Sequence, residues 1–191
     1  CNDALERQYI QRYTQTVIPP ELLGSHVGPT TSHTTHRTHS LSFRAITALF
    51  GHAGIEWDIT LCSAEEIAQL TEWASYYKAN RSLLHGGKMI RVEQPNENAF
   101  VHGVVAHDKS KAIYAYVAVR STGGSMPNSL RLLGLEPDAQ YRVQLVTPAG
   151  EPVYIGRKLP TWFDGVTLTG AALANVGLKT PVIAPEQAFL V

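Results

Sequence analysis

The chain of 191 residues is 44% hydrophobic and 17% charged, enough apolar material to bury a core, which excludes a wholly disordered protein. Its 16 basic residues balance 16 acidic ones, so charge makes no case for nucleic acid or an anionic membrane surface as partner. Two cysteines, Cys1 and Cys62, are too few for a disulfide scaffold or a cysteine-based zinc domain, and no apolar run approaches the roughly 20 residues of a transmembrane helix.

The opening Cys1-Asn2-Asp3 has no Met, no basic segment and no apolar leader, which suggests a start inside a longer gene product. Leu5, Tyr9, Tyr13 and Val17 recur every four positions and predict a helix over 3–18 with that stripe as one face. Asp3 is placed to be its N-cap, with Glu6 in capping-box register, and Pro19-Pro20 stops it. Residues 21–27 form a short, mostly apolar run that reads as a strand. Leu41, Ala45, Ala48 and Leu49 predict a second helix to about Phe50, and Gly51-His52-Ala53-Gly54 reads as a helix breaker. The third helix has the clearest signals: Ser63 and Glu66 as a capping box, an apolar stripe of Ile67, Leu70, Ala74, Tyr77 and Leu84, and Gly86-Gly87 as the C-cap pair.

After Gly87 the period changes from four to two. Residues 89–92, 100–106, 113–119, 141–146, 153–155, 166–168 and 188–191 are short β-rich segments separated by turn clusters at 95–98, 108–111, 137–138 and 148–151. This pattern predicts an antiparallel β-sandwich with 112–119 as a central strand. The residues thus predict an α+β chain, helical to about residue 85 and β-rich from 86 to 191.

His26, His33, His36 and His39, four of the eight histidines, crowd one loop together with Arg37 and a run of Ser and Thr. Imidazoles at short spacing can converge on zinc, but the loop has no HExxH and no helical pair at i and i+4, so no metal is expected. Two readings stay open: a polar rim of a substrate pocket, with Arg and His donating to hydroxyls or a carboxylate, or a loop held by local Ser/Thr hydrogen bonds. Glycoside hydrolysis needs two carboxylates flanking the scissile bond. Asp3, Glu21, Glu56 and Asp58 are the candidates in the first part, and by spacing each reads as structural. No nucleophile elbow, phosphate loop or dinucleotide fingerprint is present, and Cys62 has no neighbouring His. Trp162-Phe163-Asp164-Gly165 is either a sugar-stacking spot or, as aromatic turns more often are, a packed edge.

The runs Asp3-Ala4-Leu5-Glu6-Arg7, Leu23-Gly24-Ser25-His26-Val27-Gly28, His33-Thr34-Thr35-His36-Arg37, Leu41-Ser42-Phe43-Arg44-Ala45 and Leu49 through Asp58 resemble the last strand–helix section of the bacterial α-galactosidases (melibiases) of glycoside hydrolase family thirty-six. Leu168-Thr169-Gly170-Ala171-Ala172-Leu173 with Val176-Gly177-Leu178 resembles that family's final β domain. The resemblance implies that residues 1–85 are the end of a (β/α)8 catalytic barrel and 86–191 an antiparallel β-sandwich. It implies a cytoplasmic retaining hydrolase of melibiose- and raffinose-type α-galactosides, using two aspartates and no cofactor. The family's nucleophile signature, Lys-x-Asp-x-Asn, is absent, and the register places the acid/base aspartate immediately before Cys1, with Asp3 as the fallback. A chain lacking both carboxylates is expected to be inactive by itself. In such a barrel, loops after strand C-termini form the catalytic face. With 22–27 as the last barrel strand, His26, His33 and Arg37 become candidates for lining the sugar pocket or buttressing the acid/base aspartate. An open piece of barrel should pack its helices on the β part or self-associate, so a homo-oligomer is expected, with Leu22, Leu23 and Val27 covered. The competing reading is a stand-alone carbohydrate-binding or structural β module with a helical appendage.

Overall fold

The computed structural model describes residues 1–121, 126–156 and 158–191. The chain forms two compact units, Cys1–Gly86 with Pro148–Glu151, and Gly87–Thr147 with Pro152–Val191. It is a mixed helix and strand protein, and among the described residues no helix is long and apolar enough to cross a membrane.

The first unit runs α1 (Ala4–Thr14), β1 (Gly24–Val27), α2 (Leu41–Leu49), β2 (His52–Ile55) and α3 (Ala64–Gly86). Strands β1 and β2 are parallel, with Gly24 opposite His52 and Val27 opposite Ile55, and α2 is the crossover between them. Residues 52–55 are therefore a strand and not only a helix breaker, and 22–27 is not the last parallel strand. The strand is held from outside its own sequence: His52 N donates to Leu23 O (2.9 Å) and Glu56 N to Val27 O (3.0 Å). Gly51 permits this approach, since a Cβ there would lie 2.7 Å from the Leu23 carbonyl. The strand expected over 21–27 begins only at Gly24, because Pro20–Leu22 turns as a 3-10 segment with Pro at its first position. Val27 is buried, whereas Leu22 is 73% exposed.

Helix α1 stops at Thr14, not near residue 18. The Thr14 and Thr16 hydroxyls fold back on the Ile10 and Tyr13 carbonyls (2.8 and 2.5 Å), and residues 15–18 continue as turns. Its buried face also differs from the apolar stripe: Tyr13 and Val17 are 67% and 80% exposed, and Ala4, Leu5, Arg7, Gln8 and Gln11 are inside. The buried amides are satisfied across the unit, Gln8 Nε2 by Thr47 Oγ1 (2.9 Å) and Gln11 Nε2 by Ser25 Oγ (2.5 Å). Helix α3 opens with the expected reciprocal box, Ser63 N to Glu66 Oε2 (2.9 Å) and Glu66 N to Ser63 Oγ (3.2 Å). It buries Leu70, Trp73, Leu83 and Leu84, while Ile67 of the expected stripe stays exposed.

The second unit comprises β3 (Lys88–Val92), β4 (Ala99–Val105), β5 (Ala112–Ala118), β6 (Gln140–Val143), β7 (Val166–Thr169), α4 (Gly170–Asn175) and β8 (Gln187–Leu190). One antiparallel sheet has the order β3-β4-β5-β8, and β6 pairs with β7 antiparallel. Strand β5 is central, as its β-branched and aromatic run predicts. Tyr114, Tyr116, Leu130, Leu173 and Phe189 anchor a core that draws on both sheets and α4. The segment 153–155 makes no strand. It contributes one isolated bridge, Tyr154 to Ile183, and leaves Val153 and Ile155 facing solvent. Trp162 packs rather than forming a platform: its ring is buried against Phe163, and its Nε1 donates to Lys179 O (2.8 Å).

Candidate functional site

The polar loop 28–40 follows the C-terminal end of β1 and returns to α2 through the Thr31–Thr38 bridge. Its turn is closed by Ser32 N to Arg37 O and His36 N to Ser32 O (both 2.9 Å), which puts His36 at φ +58°. The inner side of this turn grips the start of α1. Asp3, which has no exposed surface, accepts from Glu6 N (3.0 Å) as the N-cap, from the Thr35 hydroxyl, and from Arg37 Nη1 (3.0 Å). Burial pushes the Asp3 carboxyl up, but Thr35, the Glu6 amide and Arg37 together outweigh it and hold it below its ordinary range. Asn2 is pinned beside it: its carbonyl accepts from Ser32 Oγ (2.7 Å), and its amide donates to His33 Nδ1. Arg7 reaches back from α1 to the Cys1 carbonyl (2.6 Å) and to the carbonyl of His26. Burial lowers the Arg7 guanidinium from its usual value, and Glu56 opposes that shift.

His26 lies on the face of β1 opposite the one that carries Ser25 and Val27 toward the helices. Gly54 of β2 gives its ring room, since a Cβ there would meet His26 Cδ2 at 2.9 Å. His26 Nδ1 faces Glu56 Oε2 at 3.7 Å, just beyond the end of β2. His26, His33, Asn2, Arg7, Gln11 and Glu56 share an open pocket of about 330 Å³. The structure thus brings His26 and His33 to one pocket and joins Arg37 to Asp3 at its side. His39 is buried against Phe43, with ring centroids 4.9 Å apart. Asp58 caps the turn at Ile59–Leu61 through Thr60. Among the described residues no three His, Cys, Asp or Glu side chains converge as metal ligands.

Asn2, Arg7 and Thr35 escape a reading of the sequence. Apart from the Arg37 amide, which donates to Thr35 Oγ1 (3.4 Å), the partners that fix them at the site lie 6 to 32 residues away, so no local spacing marks them. Chemically, the arrangement offers a polar cleft with two imidazoles, a guanidinium and a carboxylate, suited to hydrogen-bonding a hydroxyl-rich ligand.

The family model described as Melibiase matches residues 1–87, and that of the Glycosyl hydrolase family 36 C-terminal domain matches residues 100–191. An Escherichia coli protein named Alpha-galactosidase is 37% identical over 196 residues, covering 100% of this chain and 28% of its own length. Alpha-galactosidase AgaA of Geobacillus stearothermophilus is 32% identical over 163 residues, covering 83% of this chain and 22% of its own. Among solved structures, a substituted AgaA in complex with raffinose superposes with a TM-score of 0.82 at 26% identity, over 99% of this chain and 24% of that one. The α-galactosidase of Lactobacillus brevis gives the same TM-score, 0.82, over 99% of this chain and 25% of that one. The chain spans about a quarter of the length of these relatives.

Proposed function

The chain belongs to glycosyl hydrolase family 36, and from that premise we propose that it is the C-terminal part of a retaining α-galactosidase acting on terminal α-galactosyl residues of melibiose- and raffinose-type oligosaccharides. The observation that carries the reading is the succession of the two family models along residues 1–87 and 100–191. Relatives solved with raffinose and with stachyose support the substrate class. Residues 1–85 are read as the closing section of a (β/α)8 barrel, a reading supported by the parallel β1–α2–β2 unit. Residues 86–191 are read as the antiparallel β-sandwich that follows it. The enzyme works in the cytoplasm as a homo-oligomer, and its two-carboxylate chemistry calls for no metal or organic cofactor.

In this reading the nucleophile and the acid/base carboxylate lie upstream of Cys1, and His26 and His33 line the sugar pocket. Asp3 is a positioning group. Its engagement by Glu6, Thr35 and Arg37 leaves it no part in proton transfer, and Arg37 acts through it on the backbone that leads into α1. The 191-residue chain is therefore expected to release no nitrophenol from p-nitrophenyl α-galactoside, while the complete gene product releases it and frees galactose from raffinose. Turnover by the chain alone, or none by the complete product, overturns the reading.

A further inference from the structure

Arg44 is a charged residue in the middle of an otherwise buried helix, 4% exposed, and it takes no part in the pocket described above. Its guanidinium meets neutral oxygens at both ends of loop 28–40. Nη1 donates to Gly28 O (2.6 Å) and Nη2 to Thr30 Oγ1 (3.2 Å) where the loop leaves β1. Nε donates to His39 O (3.2 Å) and Ser40 O (3.3 Å) where it enters α2. The face of the guanidinium lies 4.7 Å from the ring centroid of Trp57, in the segment that follows β2. Thr30 Oγ1 in turn donates a hydrogen bond to Glu66 Oε1 (3.2 Å) in the capping box of α3, so Arg44 is linked to that carboxylate through a hydroxyl. Burial pushes Arg44 down to about 10, with Glu66 and Cys62 opposing.

A buried cation held mainly by carbonyls is a costly way to staple a helix, since an apolar side chain of similar volume could fill the space without desolvating a charge. What an apolar side chain cannot do is donate hydrogen bonds to two loop ends while holding a cation over an indole. Arginine's rigid fork and flat face do both at once, whereas lysine's compact ammonium cannot reach both loop ends with a fixed fork.

We propose that Arg44 is a positioning residue that fastens both ends of loop 28–40 and the Trp57 indole to one point, so that the segments following β1 and β2 are held as one body. The far side of that loop carries Thr35, Arg37, Ser32 and His33, the groups that grip Asp3 and Asn2. Arg44 thus sets the register of the pocket wall without touching it. The importance of that wall rests on the reading given above, whereas the clamp itself is independent of it.

Amide hydrogen exchange of the 191-residue chain tests the clamp without any assay of hydrolysis. In Arg44→Lys and Arg44→Ala, the amides of Ser32, His36 and His39 should exchange at least about tenfold faster, while amides within α2, α3 and the β4–β5 ladder keep their rates. Millimolar guanidinium should slow the loop amides again in Arg44→Ala and leave Arg44→Lys unchanged. The proposal is overturned if loop amides keep their parental rates in Arg44→Lys, if they accelerate only together with those of α2, or if guanidinium slows nothing in Arg44→Ala. Should Arg44→Ala not fold, Trp57→Leu decides the remaining point. A smaller acceleration confined to the same amides supports the clamp, and unchanged rates remove Trp57 and the joint body from it.

Discussion

The two units differ in what they bury beside their apolar side chains. The first places Asp3, Arg7, Gln8, Gln11, Ser25 and Arg44 out of solvent, whereas in the second, among the described residues, Thr180 is the buried polar side chain. The second unit is organised around aromatic and aliphatic groups such as Tyr114, Leu173 and Phe189. An apolar core rewards volume and forgives detail, since dispersion and burial have no direction. A polar interior is directional, and removing one partner leaves the other desolvated and unpaired. The unit that carries the candidate site adds directional contacts to its apolar core, and these hold side chains to a geometry rather than only to a volume.

The largest effect should come from the apolar unit. Phe189 is 1% exposed, stacks on Tyr116 with centroids 5.2 Å apart and touches Trp162 and Phe163. Phe189→Ala should cost about 3–5 kcal/mol in urea unfolding followed by exchange at β5 amides. A cost below about 1 kcal/mol would mean that the core relaxes around the gap, and the contrast between the units would fail there.

Next is Asp3. Asp3→Ala removes a helix cap and the partner of Arg37, and should cost about 2 kcal/mol in the first unit's stability, read at α1 amides. The pH dependence follows from the same contacts. The Asp3 carboxyl is held below its ordinary 3.8, so its contribution is complete above that value and is lost as pH falls through the lower, folded-state value. Acid titration from pH 5 downward should loosen α1 in the parent and have less effect in Asp3→Asn, which no longer has that proton to bind. An equal acid response in both chains would show that Asp3 is not the linked group.

The buried amide of Gln11 sharpens the comparison at a smaller scale. Gln11→Leu leaves Ser25 Oγ without its 2.5 Å donor and should cost about 1–2 kcal/mol, while adding Ser25→Ala should recover most of it. Strict additivity of the two changes, measured by a double-mutant cycle, would mean that the contact contributes nothing directional.

This division also decides what the sequence discloses. Apolar periodicity locates β5, and the Ser63–Glu66 box locates α3, because both signals lie within a few residues of each other. The same logic finds Leu5 but misses the rest of the buried face of α1, where Arg7, Gln8 and Gln11 are inside and their partners stand on β1 and α2. Strand β2 is invisible for a related reason. Of its four residues only Ile55 favours a strand, and His52, Ala53 and Gly54 are extended by the ladder to β1. At the site, the histidines draw attention through crowding, and Arg37 stands among them. Asn2, Thr35 and Arg44 act through neighbours a loop away, and only the fold brings them together.

The smallest effect concerns that loop's backbone. His36 sits at φ +58°, in the left-handed region that costs a residue with a Cβ about 1 kcal/mol, and its amide N–H donates to Ser32 O to close the turn. Its side chain is exposed, so nothing in the core depends on the imidazole. Glycine adopts this φ freely but is also freer in the unfolded chain, and the two terms nearly cancel, leaving His36→Gly stabilising by at most about 0.5 kcal/mol. His36→Val should be worse than the parent by about 1 kcal/mol or more, because β-branching disfavours this region further. Both changes leave the hydrogen bonds of Arg37 and Thr35 to Asp3 in place, so their effect should appear in loop amide exchange and not in the acid response of α1. A His36→Gly chain that loses the Asp3 acid response would show instead that the imidazole itself holds the turn. The polar unit would then depend on one more directional contact.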